Sequence, residues 1–154
     1  MPVSKTSLVT IFRSLAIAVL VTGLAACQPQ AQPQEITVYK SATCGCCKKW
    51  VTHLQDNGYT VKAINVADID TIKKEQGVPG HLSSCHTALV DGYVIEGHVP
   101  AADIKRLLVE RPKTKGIAVP GMPMGSPGMK GSRKDNYNVV TFNGNGATGV
   151  FERH

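Results

Sequence analysis

Apolar and polar positions change period several times between residues 36 and 152. Ile36-Thr37-Val38-Tyr39 is rich in β-branched residues and predicts a first strand. The period then becomes helical: Cys47, Trp50, Val51 and Leu54 fall at i, i+3, i+4 and i+7, while Lys48, Lys49, His53, Gln55 and Asp56 lie mostly off that face. Thr43 is placed to cap this helix and Asn57-Gly58 to end it. Residues 59–66 predict a second strand, and Asp70 a cap for a short helix over 71–76 that Gly77 and Pro79 stop. After a polar loop, residues 80–86, the runs 87–90 and 93–98 flank Asp91-Gly92 as a hairpin. Pro100 opens a helix with Ile104, Leu107 and Leu108 on its buried face, and Pro112 closes it. The predicted order is β-α-β-α-β-β-α. Beyond it, residues 115–133 are rich in Gly, Pro and Met. Residues 137–142 and 147–151 then flank an Asn/Gly turn as a C-terminal hairpin, which either extends a sheet edge or covers one side of the domain.

The N-terminus follows none of these periods. Lys5 and Arg13 precede the apolar run 15–21, and small residues follow it. This is the pattern of an export signal over residues 1–26. The apolar run is broken by Thr22 and Gly23 and is short of the roughly twenty residues a membrane span needs. Leu24-Ala25-Ala26-Cys27 resembles the bacterial lipoprotein signal, which implies cleavage before Cys27 and lipidation of that residue. Gln28 at the next position resembles the sorting pattern for the outer membrane of Gram-negative bacteria. Residues 27–35 then hold the lipidated cysteine and a polar, proline-bearing linker. The expectation is a globular domain over 36–154, in the periplasm and tethered to the membrane through Cys27.

Composition narrows the picture little further. The 154 residues suffice for one modest core, 42% hydrophobic and only 5% aromatic, so aliphatic packing dominates. Loss of Lys5 and Arg13 with the leader takes the net charge from +6 to +4. That charge is scattered and not interleaved with aromatics, which argues against a nucleic-acid partner. No Ser-His-Asp order, phosphate loop or paired-carboxylate arrangement stands out.

The chemistry concentrates in Cys44-Gly45-Cys46-Cys47, three thiols where the first strand meets the first helix. A helix N-terminus favours thiolate over thiol, which suits both redox chemistry and soft metals. Cys44 and Cys47 have the C-x-x-C spacing of a redox pair, and Cys46 is one thiol more than such a pair needs. Bridging Cys46 to its neighbour Cys47 is strained, and an unpaired thiol in the periplasm invites oxidation. A bound metal resolves both problems. Cys85-His86 and the loop residues Met122, Met124 and Met129 add further soft donors. Sulfur with imidazole suits Cu(I). Zinc is the rival metal, since four cysteines or three with a histidine are ordinary for it, but it rarely takes thioether. The methionine loop reads equally as a lid packed on the core. His81 and His98 are secondary ligand candidates, while His53 and His154 receive no role.

A C-x-x-C after the first strand, followed by β-α-β-β-α, resembles a thioredoxin fold. Thioredoxin-like proteins hold a proline beside that motif, and Cys85-His86-Thr87 stands in its place here. The resemblance therefore implies that Cys85 and His86 face Cys44 and Cys47. Thr43–Trp50, Val78-Pro79, Ser84-Cys85-His86-Thr87, Gly97-His98-Val99-Pro100 and the run 116–129 together resemble the CopG-type family of copper-resistance proteins. These are thioredoxin-like, metal-binding proteins of bacteria. The resemblance covers about residues 36–152 and implies an exported protein that handles copper, with copper-export proteins as its partners.

Two functions follow. One is a lipid-anchored module that sequesters or hands on Cu(I) through Cys44, Cys46, Cys47, Cys85, His86 and the three methionines. The other is an oxidoreductase cycling a Cys44–Cys47 disulfide, with Cys44 attacking and Cys47 resolving.

Overall fold

The structure is a computed structural model that describes residues 34–154, residue 145 excepted. The signal, the lipidation at Cys27 and most of the linker lie outside the described residues. No helix among those described is long and apolar enough to cross a membrane.

The fold is mixed α/β. Its elements run β1 (Glu35–Lys40), α1 (Gly45–Asp56), β2 (Thr60–Asn65), α2 (Ile69–Glu75), a 3-10 turn (Gly80–Leu82), β3 (His86–Val90), β4 (Tyr93–Glu96), α3 (Ala101–Glu110), β5 (Gly116–Ala118), β6 (Asn138–Asn143) and β7 (Gly146–Arg153). One sheet carries all seven strands in the order β2-β1-β3-β4-β5-β6-β7. β1 pairs parallel with β2 and antiparallel with β3, and β3 pairs antiparallel with β4. The predicted order β-α-β-α-β-β-α is present. The C-terminal hairpin extends the sheet, through β5, and does not cap a face.

Alternation decides which side chains meet. Ile36 and Val38 of β1, Ala88 and Val90 of β3, and Ile95 of β4 join Trp50 and Leu54 of α1 with Ile104 and Leu107 of α3 in the main core. Full burial of an aliphatic side chain of this size contributes roughly 1.5–3 kcal/mol. The opposite parity holds a second cluster, Leu82, Val94, Ala118 and Phe142. A buried ionic network shares that parity: Lys73 of α2 donates to Glu96 Oε1 at 2.6 Å and to Thr87 Oγ1 at 3.0 Å.

Three local readings of the sequence shift. Cys44, not Thr43, is the N-cap of α1, and Asp68, not Asp70, caps α2 by accepting from the amides of Asp70 and Thr71. β5 lies inside the Gly/Pro/Met-rich stretch that showed no strand pattern, because three residues are too few to display a period. His53 also has a structural role: its Nε2 accepts the Ala101 amide at 3.1 Å and so caps α3, whose N-cap Pro100 makes no side-chain cap of its own.

Candidate metal and thiol centre

β1 delivers the cysteine motif through a tightly pinned turn. The buried Lys40 ammonium donates to Asn65 Oδ1 at 2.8 Å and to Ser41 O at 3.2 Å. The Cys44 amide donates to the same Ser41 carbonyl at 3.2 Å. Cys44 therefore enters α1 as its cap, and its sulfur accepts the Cys47 amide at 3.3 Å. Cys46 and Cys47 occupy the first turn of α1. Cys47 is buried, and Cys44 and Cys46 are half-buried.

Cys44 and Cys47 form a disulfide, which leaves Cys46 and Cys85 as the free thiols of the centre. Cys46 Sγ lies 3.5 Å from Cys44 Sγ and 4.0 Å from Cys85 Sγ. Cys47 Sγ lies 3.6 Å from the Cys85 carbonyl oxygen. The ligand atoms of Cys44, Cys46, Cys47 and Cys85 all fall within 4.8 Å of one another. Cys85 and His86 thus do stand against the C-x-C-C motif, as the resemblance implied.

A second set shares Cys85 with the first. The ligand atoms of Cys85, His86 and His98 also fall within 4.8 Å of one another. Cys85 Sγ is 3.3 Å from His86 Nδ1 and 3.0 Å from His98 Nε2. His98 Nδ1 lies 2.7 Å from the Pro127 carbonyl. A carbonyl only accepts, so His98 carries its proton on Nδ1 and turns the Nε2 lone pair toward Cys85. Metal-binding histidines are commonly oriented in this way by a backbone carbonyl. His86 lies between Trp50, tilted at 39° with ring centroids 4.2 Å apart, and His98, edge-on with centroids 5.0 Å apart. Its Nε2 is buried without a hydrogen-bond partner. A buried polar atom left unpaired is costly, and the ring's other nitrogen, Nδ1, is the one that faces Cys85 Sγ.

Electrostatics keep this set uncharged in the absence of metal. Burial, followed by the neighbouring Cys46, pushes the Cys85 thiol up to about 12. Burial, with His98, Lys73 and Lys40 adding repulsion, holds His86 well below the ordinary imidazole range. Burial also lowers His98, against the opposing pull of the Pro127 carbonyl. The pair is thus a Cys85 thiol donating to a neutral His98.

Glu96 and Gly97 fix the Cys85 loop from below. Glu96 Oε1 accepts the Ser84 amide at 2.6 Å, and its other oxygen accepts from Thr87 Oγ1 at 2.7 Å. Gly97 has φ +73, and a Cβ there would meet Val119 O at 2.6 Å and Ser84 Cβ at 2.7 Å. Only glycine lets the loop pack this closely on β4.

The methionine loop lies over the centre. A Cβ at Gly128 would sit 2.9 Å from Cys46 O, 3.0 Å from Trp50 N and 3.4 Å from His98 Nδ1. Ser84 Oγ donates to Gly121 O at the other side. The direct contacts on the cysteine and histidine elements are made by Pro127 and Gly128. Met129 follows them, Met124 sets its methyl against Gly131, and Met122 is 52% exposed. His81 is exposed beside Gly146. His98, a secondary ligand candidate in the sequence, is fully buried at the centre. The sequence signal for it was weak, since the residues around it, Gly97, Val99 and Pro100, have no ligand character. His154 stacks on Tyr137 and pairs with Asp103 at 2.8 Å.

Residues 82–129 match the family model described as "Protein of unknown function, DUF411". Two solved structures are similar to the chain. Copper resistance protein CopG in its form 2 is 48% identical, with a TM-score of 0.75, over 80% of this chain and 99% of that one. Its form 1 is 48% identical, with a TM-score of 0.74, over 80% of this chain and 98% of that one. No curated protein matches.

Proposed function

The chain belongs to the family of copper resistance protein CopG, and from that membership we propose that it binds Cu(I) at the cysteine–histidine centre and contributes to copper resistance. The observation that carries this reading is the convergence on Cys85: one sulfur belongs both to the four-cysteine set and to the Cys85-His86-His98 set. Thiolate and neutral imidazole are donors that Cu(I) prefers. His86, whose Nδ1 faces Cys85 Sγ, and the Nδ1-protonated His98 would supply neutral imidazoles to a metal there. Met122, Met124 and Met129 would serve as thioether donors on the covering loop during capture or release. They need no deprotonation and cannot be lost to disulfides. Zinc remains the competing ion for the cysteines.

In this reading the protein works in the periplasm, anchored by a lipid at Cys27, and exchanges copper with export proteins. The lipoprotein-like sequence at residues 24–27 supports that placement. Anaerobic titration of the reduced protein against a chromophoric Cu(I) chelator tests the binding. The parent should strip Cu(I) from the chelator, and a variant with Cys44, Cys46 and Cys47 all changed to serine should not. Equal binding by the two would sink the reading.

A second reading is favoured by one observation, the Cys44–Cys47 disulfide. Joined sulfurs offer no thiolate, so binding through them requires a two-electron reduction. A thiol-disulfide or copper oxidoreductase would use that couple. A redox titration followed by thiol trapping should then show one reversible two-electron step at Cys44/Cys47.

A further inference from the structure

Two lysines are buried among the described residues, and their surroundings differ. Lys73 has a carboxylate of its own, Glu96 at 2.6 Å. No carboxylate among the described residues pairs with Lys40. Its partners are neutral oxygens, Asn65 Oδ1 at 2.8 Å and Ser41 O at 3.2 Å. A buried charge without a counter-charge is costly.

The position of Lys40 shows which charge it can meet. It is in register with His86 of β3 on one side and Asn65 of β2 on the other, so the three residues form a row on one face of the sheet. Ile36 and Val38 precede it on that face and share the core with Trp50 of α1. The Ser41 carbonyl that accepts from the ammonium also accepts the Cys44 amide at 3.2 Å. Lys40 therefore supports the turn that carries Cys44, and its neighbour in the row, His86, has Nδ1 3.3 Å from Cys85 Sγ. Burial lowers His86 most, and His98, Lys73 and Lys40 add repulsion, so the field of Lys40 reaches the centre. Lys48 and Lys49, also beside the motif, are exposed, and water and salt screen them.

We propose that Lys40 determines metal specificity: it is a fixed, buried positive charge that favours monovalent Cu(I) over divalent ions in the cysteine–histidine centre. The proposal rests on the copper reading above. Thiolates bring the same negative charge to either kind of ion. A Cu(I) site is therefore one unit more negative than a Zn(II) site built from the same thiolates. With two thiolates, the Cu(I) site carries one negative charge and the Zn(II) site is neutral. The Lys40 ammonium attracts the first and gains nothing from the second. A further thiolate moves both sites by the same amount, so the difference persists at any ligand count. At an effective dielectric constant near 20, one unit charge about 10 Å away changes a binding constant roughly tenfold. Lys73 adds little to this discrimination, because Glu96 already neutralises it.

The test uses the full chain, fully reduced and metal-free, under anaerobic conditions. Cu(I) and Zn(II) affinities are measured in separate chelator competitions for the parent, Lys40→Gln, Lys40→Met and Lys40→Arg, with the fold confirmed by circular dichroism. Lys40→Gln keeps a donor for Ser41 and Asn65 without the charge, and Lys40→Met keeps only the bulk. Both should bind Cu(I) about tenfold more weakly, and their ratio of Cu(I) to Zn(II) affinity should fall by about the same factor. Lys40→Arg keeps the charge and should keep the parent's ratio. The proposal is overturned if the neutral variants weaken both ions equally or neither, since a residue that only supports the Cys44 turn would leave the ratio unchanged. It is also overturned if Lys40→Arg loses the ratio as the neutral variants do. Where the parent holds Zn(II) too weakly to compare, the Cu(I) measurements decide: a loss in both neutral variants that Lys40→Arg recovers supports the proposal, and an equal loss in all three overturns it. Failure of the copper-binding reading is recognised separately, because the parent itself would then not take Cu(I) from the chelator.

Discussion

His98 Nε2 lies 3.0 Å from Cys85 Sγ while its Nδ1–H is held by the Pro127 carbonyl. The methionine loop thus sets the tautomer of a histidine at the sulfur centre. Loss even of the partner that orients a metal-binding imidazole commonly costs 10–100-fold in metal affinity, and loss of the imidazole itself costs at least as much. His98→Leu should therefore weaken Cu(I) binding by about 10-fold or more in a chelator competition. His81→Leu, at an exposed position beside Gly146, should leave it unchanged.

Lys73 and Glu96 form a buried ion pair at 2.6 Å, 6% and 0% exposed. Glu96 also accepts the Ser84 amide next to Cys85. Removing one member of a buried pair leaves an uncompensated charge and costs about 3–5 kcal/mol. Lys73→Met should show a loss of that order in chemical denaturation. Lys73→Met combined with Glu96→Leu should cost less than the two single changes added, since both charges leave together. The double variant still frees the Ser84 amide, so its Cu(I) affinity should remain below the parent's even where its stability recovers.

These relationships mark where sequence stops being informative. The strand-helix order was legible because Trp50, Leu54, Ile104 and Leu107 keep a helical period and all reach the core. Cys44, Cys46, Cys47 and Cys85 were legible because their spacing and the residues around them have few other uses. Burial of Lys73, Glu96 and His98 was not, because each depends on partners 14 to 29 positions away. Charged residues and lone histidines normally read as solvated, and only the assembled sheet shows that these are not. The Cys44–Cys47 bridge lay among the alternatives that the motif itself could not separate.

Acid should destabilise the metal-free protein. His86 and His98 are both held below the ordinary imidazole value of 6.5 when folded. Below that value the unfolded chain binds protons that the folded chain refuses, so stability falls as pH drops from about 6.5 toward the folded values. Each histidine that stays neutral contributes a slope of at most about 1.4 kcal/mol per pH unit. Urea denaturation at pH 7.5 and 5.5 should show the loss, and His86→Phe, which keeps a ring against Trp50, should reduce the slope.

Trp50 is the only tryptophan in the chain, and its ring lies 4.2 Å from that of His86. Its indole N–H donates to the Val99 carbonyl at 2.8 Å, which fixes the ring against the core. Its fluorescence therefore reports on His86 without any added label. Cu(I) drawn to His86 beside Cys85 would sit close enough to quench it. Anaerobic Cu(I) should lower the emission of the reduced protein in step with the chelator titration. His86→Ala should remove most of the quenching while Cys85 and the other cysteines still take up metal. Full quenching in that variant would place the copper among the cysteines alone, and the histidine half of the centre would then be structural.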